Sequence, residues 1–194
     1  MKIKIPNILT IGRIIIVPFF VISFFLPGFY GEMIPFLLFL LASFTDFLDG
    51  LLARLYKEES KLGELLDPIA DKIIVSTALI LLVMNETIQN YEVIAAIIIL
   101  TREILISGLR EFLADIQIKM PVSSLAKVKT FIQMFSIAIL LTGETGNKII
   151  KFEDYNAQTI GIVLLWLSAL LTLYTAYDYV RKGIDHIISE DEKS

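Results

Sequence analysis

Long uncharged runs of apolar residues dominate the hydrophobic pattern of the chain, for example over residues 14–26 and 34–44. A helix needs about 20 mostly apolar residues to cross the roughly 30 Å hydrocarbon core of a bilayer. Segments that meet this requirement cover approximately residues 8–26, 34–55, 68–84, 91–113, 124–142 and 157–180. The pattern therefore predicts an all-α integral membrane protein, a bundle of six transmembrane helices that forms a single domain over residues 1–194.

Turn-forming residues separate the predicted spans, and these residues are Pro27-Gly28 with Gly31, Asn85-Glu86-Thr87, and Gly143-Glu144-Thr145-Gly146-Asn147. We expect the third helix to begin at Pro68, because a proline in the first turn loses no hydrogen bond. The first apolar stretch ends without a small-residue cleavage site, so it is not expected to be a cleavable signal peptide.

The composition excludes several classes of site. The chain is 56% hydrophobic and 20% charged, and its net charge of −4 gives no indication of nucleic-acid binding. It has no cysteine, which excludes disulfides and thiolate-bound metals. The single histidine, His186, lies in a polar C-terminal tail, so a site with several histidine ligands is excluded as well.

Lysine and arginine are unevenly distributed among the connections between spans. The connections over 27–33 and 85–90 contain neither residue type, whereas basic residues cluster elsewhere, at Lys2, Lys4, Arg54, Lys57, Lys61, Arg110, Lys119, Lys127, Lys129, Arg181 and Lys182. Under the positive-inside rule, both termini and the connections near 56–67 and 114–123 are expected to face the cytoplasm. The expected location is the cell (plasma) membrane, in a multi-pass arrangement.

Four aspartates lie at membrane-embedded positions. Asp46 and Asp49 lie near the expected cytoplasmic end of the second predicted span at i,i+3 spacing, and Asp67 and Asp71 lie at the start of the third at i,i+4 spacing. Each pair therefore projects from one helix face, and a short connection makes the two helices antiparallel neighbours. Ionised carboxylates are costly in a membrane, so either protons or cations must compensate them. Oxygen ligands without cysteine or histidine suit Mg²⁺, Mn²⁺ or Ca²⁺, and the four carboxylates carry enough charge for two such ions.

Small and basic residues accompany the aspartates. Gly50 and Ala53 leave a shallow surface where a flat or charged ligand can approach the backbone, and Arg54 supplies a fixed cation for phosphate oxygens. Taken one at a time, these residues also have structural interpretations. In that interpretation Asp67 caps a helix, and Arg54 anchors its helix at the membrane interface.

The pattern Asp46-x2-Asp49-Gly50-x2-Ala53-Arg54-x8-Gly63-x3-Asp67-x3-Asp71 resembles the signature of the CDP-alcohol phosphotransferases, six-helix membrane enzymes that make phospholipids. The resemblance implies that Asp46, Asp49, Asp67 and Asp71 hold two divalent cations, Mg²⁺ or Mn²⁺, and that Asp71 is also the catalytic general base. It further implies that the CDP moiety binds to Asp46, Gly50, Ala53, Arg54 and Asp67.

Further cations lie on the fourth and fifth spans, and they are Arg102, Arg110, Lys127 and Lys129. They suggest an acceptor alcohol that carries a phosphate, held by charge-assisted hydrogen bonds. The positive-inside rule alone also explains Arg110, Lys127 and Lys129. It does not explain Arg102, which lies deeper in its span. Glu103 most simply pairs with a nearby arginine.

Three strings resemble the phosphatidylglycerophosphate synthase branch of the family, namely Arg102-Glu103-x3-Ser107-Gly108-Leu109-Arg110, Lys127-x-Lys129-Thr130-x2-Gln133 and Ile5-Pro6-Asn7-x2-Thr10-x2-Arg13. The resemblance implies CDP-diacylglycerol as donor, glycerol 3-phosphate as acceptor, and a homodimer in contact with membrane lipids. One departure from the branch is the stretch 114–124, which lacks the usual glycines. Asn7, Thr10 and Arg13 share one helix stripe, which lines either a nucleotide pocket or the membrane interface.

Two alternatives remain at this point. Another member of the family, a cardiolipin, phosphatidylinositol-phosphate or phosphatidylserine synthase, would share the aspartate signature. A cation-coupled transporter would also place acids within the membrane, although here all four lie near one cytoplasmic end. Tyr174, Tyr177 and Asp178 are more typical of an interfacial aromatic belt than of a site.

Overall fold

The computed structural model describes residues 5–56, 61–116, 124–152 and 155–191. These residues form helices joined by turns, together with one antiparallel pair of two-residue strands in which Lys151 pairs with Asn156. In chain order the elements are α1 (Ile5–Ser23), α2 (Phe29–Tyr56), α3 (Lys61–Met84), α4 (Glu92–Asp115), α5 (Ser124–Leu141), α6 (Gly143–Ile149), β1 (Lys151–Phe152), β2 (Tyr155–Asn156) and α7 (Ala157–Asp191). The expected helical class is confirmed.

Each predicted span coincides with one long helix, but two local predictions are wrong. The third helix begins at Lys61 and not at Pro68, because Lys61-Leu62 and Glu64-Leu65-Leu66 favour helix formation upstream of the proline. Residues 143–147, expected as a turn, begin the helix α6. The chain turns between α5 and α6 at Thr142 and Gly143, and Gly143 has a φ of +54°.

Contacts divide the chain into two compact units. The first comprises Met1–Ile88 and Ile137–Gly161, and the second comprises Gln89–Ser136 and Ile162–Ser194. The helices α5 and α7 each contribute to both units. The single domain over residues 1–194 stays a prediction.

In the first unit, α1 packs against both α2 and α3, and these two helices also contact each other. Phe20 of α1 is fully buried, and its ring centroid lies 6.4 Å from that of Phe39 in α2. Leu79 and Leu82 of α3 are buried as well. This packing places the face of α1 that carries Thr10 and Arg13 inside the unit, where both residues are buried.

The second unit joins α4 to the first part of α5 and most of α7. Ile99, Leu113 and Leu165 are among its buried apolar residues. A Cβ atom added to Gly183 of α7 would lie 3.3 Å from Leu113 Cδ1, so the two helices approach closely there. The interior of this unit also contains buried polar residues, at Lys129, Gln133, Ser168, Thr172 and Thr175.

The outer surface is rich in large apolar side chains, including Phe19, Phe131 and Leu170. Such extensive apolar exposure is typical of a surface covered by lipid or by another protein. By length and composition, three stretches can cross a membrane, and they are Phe29–Asp46, Ser124–Leu141 and Ala157–Arg181. The protein is therefore a membrane protein. Charges along α3 and α4 lower the apolar character of these two helices.

The start of α6 is fixed by Glu32 from α2. Its carboxylate accepts hydrogen bonds from the backbone N–H groups of Glu144 and Thr145, each at 2.9 Å, and from the Thr145 hydroxyl. A carboxylate at this position satisfies helix N–H groups that have no partner within the helix and interacts favourably with the helix dipole. Glu32 therefore connects α2 to α6.

We expect Gly143→Ala to destabilise the protein by about 1–2 kcal/mol or more, because an L-residue at positive φ is strained. The added Cβ would also lie 2.8 Å from Glu32 Cδ and its Oε1. Thermal unfolding in detergent, followed by the fluorescence of Trp166, measures the effect. Gly108→Ala is the matched control, since nothing lies within 4 Å of a Cβ there. Equal melting temperatures for the two variants would contradict the prediction.

Candidate functional site

The ion pair between Arg13 and Asp46 is the first polar contact at the predicted site. Arg13 lies in α1 with its side chain 1% exposed, and its Nη1 donates to Oδ1 of Asp46, whose side chain is 47% exposed. A carboxylate with one oxygen held by a buried guanidinium has a fixed orientation, and its exposed remainder is accessible to a ligand. Both residues are candidate site residues by sequence, but their contact with each other was not predictable from it.

The four aspartates lie on the two helices where they were predicted. Asp46 and Asp49 belong to the second half of α2, and Asp67 and Asp71 to the first half of α3. Both helices are in the first unit and contact each other. The helical backbone confirms that each pair shares one helix face. Asp46 and Asp71 are both half-buried, and Asp71 makes an interaction of its own.

Several predicted site residues have side chains outside the described part of the structure. Their positions on α1, α2 or α3 are described, and the residues are Asn7, Asp49, Gly50, Ala53, Arg54 and Asp67. Among the side chains that are described, no group of three or more acids or histidines is arranged to hold a metal ion. The four-carboxylate site therefore stays a prediction. The glycine-poor stretch noted above falls largely on 117–123, which is also outside the described residues.

Thr10 and Arg13 lie on one buried face of α1, as their spacing indicates, with exposed fractions near zero. Both make further interactions within the structure. Of the two interpretations of this stripe, the membrane interface does not apply to Thr10 and Arg13, because an interfacial face would be exposed. Their role in a nucleotide pocket stays a prediction. Lys2 and Lys4 lie outside the described residues.

A second polar cluster joins α4, α5 and α7 within the second unit. Lys129 Nζ donates to Glu103 Oε1 at 2.5 Å, and Arg102 Nη1 lies 3.5 Å from the same oxygen. Arg102 Nη2 donates to Thr175 Oγ1 at 3.1 Å. The expected pairing of Glu103 with an arginine is confirmed, and Lys129 is a second, closer partner. One carboxylate thus serves both cations.

The four predicted acceptor cations differ in burial. The side chains of Arg102 and Lys129 are 12% and 3% exposed, whereas Arg110 and Lys127 are exposed. Arg110 lies over the ring of Tyr179, 5.6 Å from its centroid, an arrangement that stabilises a cation without a ligand. The burial of Arg102 and Lys129 is costly unless each cation has a partner.

Three further buried polar residues of this unit are Gln133, Thr172 and Thr175; the two threonines had no role assigned from the sequence, and Gln133 was named only within a string that carries the family resemblance. A signal for them was present in the sequence. Gln133 follows Lys129 by one helical turn, and Thr172 precedes Thr175 at i,i+3 spacing within an apolar run, so each pair shares a helix face. Tyr174 and Tyr177 are exposed, as an aromatic belt requires.

Comparison with known proteins places this arrangement in context. The family model described as CDP-alcohol phosphatidyltransferase matches residues 3–174, a range that includes the four aspartates, Arg13, Arg102, Glu103 and Lys129. A protein of Rickettsia felis named CDP-diacylglycerol–glycerol-3-phosphate 3-phosphatidyltransferase is 42% identical over 178 residues, which covers 92% of this chain and 94% of the relative.

Relatives from other bacteria carry the same name. The Rickettsia bellii protein is 43% identical over 178 residues, with the same coverage. The Haemophilus influenzae protein is 40% identical over 183 residues, which covers 93% of this chain and 94% of the relative. The similarity thus extends along nearly the whole of both chains.

Proposed function

Because the chain belongs to the CDP-alcohol phosphatidyltransferase family, we propose that it transfers the phosphatidyl group from CDP-diacylglycerol to glycerol 3-phosphate. The products are phosphatidylglycerophosphate and CMP, so the enzyme acts in phospholipid biosynthesis. The observation that carries the proposal is the complete aspartate signature on two contacting helices of one unit. The shared name of the relatives supports this acceptor over those of the other synthases in the family.

The membrane arrangement that we propose has six spans, which correspond to α1–α5 and α7. Both termini and the active site then face the cytoplasm, in agreement with the distribution of lysine and arginine. In this arrangement the acyl chains of the donor stay in the bilayer while its polar head enters the site. A homodimer in the cell membrane completes the proposal.

The donor set fits divalent cations. Asp46 and Asp71 offer half-buried carboxylate oxygens on neighbouring helices, and such oxygens are the ligands that Mg²⁺ and Mn²⁺ prefer. Asp46, Asp49, Asp67 and Asp71 would hold two ions. When bound, these ions would neutralise the pyrophosphate charge and stabilise the departing phosphate. Arg13 would fix the orientation of Asp46, as partners of ligating carboxylates commonly do.

The chain's own residues then have defined roles in the transfer. Asp46, Gly50, Ala53, Arg54 and Asp67 bind the CDP moiety, and Asn7, Thr10 and Arg13 line the nucleotide pocket. Asp71 accepts the proton of the acceptor hydroxyl, as a general base within hydrogen-bond reach. The hydroxyl oxygen bonds to the lipid-bearing phosphorus. The bond from that phosphorus to the bridging oxygen breaks, and CMP leaves with the electron pair.

We propose that the acceptor phosphate binds to four cations of α4 and α5. Arg102 and Lys129 are the inner pair, and Arg110 and Lys127 are the exposed outer pair. Arginine binds phosphate through bidentate hydrogen bonds. Since Glu103 contacts both inner cations, its negative charge balances part of their positive charge before the acceptor binds.

An acceptor panel tests the proposed function. Purified protein in detergent, with CDP-diacylglycerol and Mg²⁺, is expected to release CMP with glycerol 3-phosphate and at least about 10²-fold more slowly with serine, inositol phosphate or phosphatidylglycerol. A site built to hydrogen-bond one substrate discriminates by such factors. CMP release is measured by chromatography. Preference for another alcohol would assign the chain to a different branch of the family. Ion flux without CMP release would support a transporter.

A further inference from the structure

Buried polar atoms without partners remain inside the second unit. Within the described part of the chain, Arg102 Nε, Gln133 Oε1 and Thr172 Oγ1 are buried and have no hydrogen-bond partner. Gln133 is 2% exposed and Thr172 is fully buried. Buried polar groups are nearly always hydrogen-bonded in folded proteins, and an unpaired one destabilises the fold. These atoms therefore require an explanation.

The unpaired atoms lie on helix faces that already contribute to the Arg102–Glu103–Lys129 cluster. Gln133 is one turn from Lys129 on α5, and Thr172 is one turn from Thr175 on α7. Thr175 accepts from Arg102 and donates to the carbonyl of Thr172, at 3.1 Å in both cases. The second unit thus contains the cations Arg102 and Lys129 together with an unpaired amide oxygen, Gln133 Oε1, and an unpaired hydroxyl, Thr172 Oγ1.

The chemistry of these atoms matches that of a phosphorylated polyol. The amide oxygen of Gln133 can only accept, so its partner must be a donor such as a hydroxyl group. Thr172 Oγ1 both donates and accepts. Glycerol 3-phosphate carries a phosphate and two hydroxyls, of which only one is consumed in the transfer.

We propose that Gln133 and Thr172 are specificity-determining residues that hydrogen-bond the non-reacting hydroxyl of the acceptor, next to the cations that bind its phosphate. This inference rests on the proposed function and assigns a substrate contact to two residues outside the family signature. Without the acceptor, both groups stay unsatisfied in the interior. Stability is thereby reduced in exchange for selectivity, a compromise typical of functional sites.

The test compares two acceptors that differ in one hydroxyl. Glycerol 3-phosphate has the secondary hydroxyl, and 3-hydroxypropyl phosphate lacks it but keeps the reacting hydroxyl and the phosphate. We expect the wild type to favour glycerol 3-phosphate by at least about 10²-fold in kcat/KM. In Gln133→Met and Thr172→Val this preference is expected to fall at least tenfold, through KM of the acceptor, while KM of CDP-diacylglycerol is unchanged.

The variants are designed to fold. Thr172→Val replaces an unpaired hydroxyl by a methyl group, which is expected to maintain or raise the melting temperature, and Gln133→Met replaces the amide by an apolar group on a side chain of similar length. Ser168→Ala is the matched control, because its buried hydroxyl already donates to the carbonyl of Leu165 at 2.9 Å, and its selectivity should equal that of the wild type. Thr172→Ser restores the hydroxyl and should restore the preference.

The outcomes distinguish this inference from the proposed function. If the wild type releases CMP with glycerol 3-phosphate and both folded variants keep its preference, the inference is overturned while the proposed function stands. If the wild type does not use glycerol 3-phosphate, both are overturned. A reduced preference in either variant, with recovery in Thr172→Ser where Thr172 is affected, supports it.

Discussion

Asp71→Asn is expected to lower kcat for CMP release by about 10²–10⁴-fold, the range that a general base contributes. The amide keeps the size of the side chain but cannot accept the hydroxyl proton, and it is a weaker ligand for a divalent cation. The measurement is the initial rate of CMP release at saturating CDP-diacylglycerol, glycerol 3-phosphate and Mg²⁺. The melting temperature, measured in parallel, separates the chemical effect from unfolding.

Glu144→Gln is the matched control for the loss of one carboxylate. The Glu144 side chain is exposed in α6, and its carboxylate makes a long surface contact with Lys148, 3.9 Å between charged atoms, so its amide variant should retain the wild-type rate. A rate for Asp71→Asn within tenfold of the wild type would remove Asp71 from its catalytic role. It would also remove the strongest support for the aspartate site.

Arg13→Gln has the second largest expected effect. The substitution removes the guanidinium that holds Oδ1 of Asp46, and removing a partner of a ligating group typically lowers metal affinity or activity by about 10–100-fold. We expect a loss of this size in CMP release, together with a higher Mg²⁺ concentration at half-maximal rate. Titration of Mg²⁺ at fixed substrate concentrations measures both quantities.

The control for Arg13→Gln is Arg181→Gln, because Arg181 is an exposed arginine of α7 and its loss should leave the Mg²⁺ titration unchanged. Arg13→Lys keeps the positive charge but not the planar fork, so an intermediate rate is expected. An unchanged Mg²⁺ requirement in Arg13→Gln would show that Asp46 is positioned without α1.

The helical architecture was predictable because long apolar runs and turn residues mark helices independently of their packing. Helix ends were less predictable. The start of α3 upstream of Pro68 depends on local helix propensity. The helix α6 depends on a carboxylate from Glu32, which lies 112 residues before Glu144. No local pattern reports such a long-range contact.

The candidate site was predictable in part for the same reason. Spacing within one helix identifies Asp46 with Asp49, or Asp67 with Asp71, because the helix itself determines which residues share a face. Contacts between helices were not predictable. Two examples are the pair of Arg13 with Asp46 and the interaction of Arg102 with Thr175. Both depend on how separate helices pack, and the sequence pattern does not show which residues of different helices are neighbours.

The pairing of Arg13 with Asp46 has a consequence for biogenesis. An arginine near the centre of a single helix costs roughly 2.5–3.5 kcal/mol on translocon insertion scales, and α1 carries Arg13 among apolar residues. Its compensating carboxylate follows 33 residues later and emerges from the ribosome only with α2. In the six-span arrangement that we propose, the first two helices therefore partition into the bilayer most favourably as a preformed hairpin, with the opposite charges already neutralising each other when they leave the translocon.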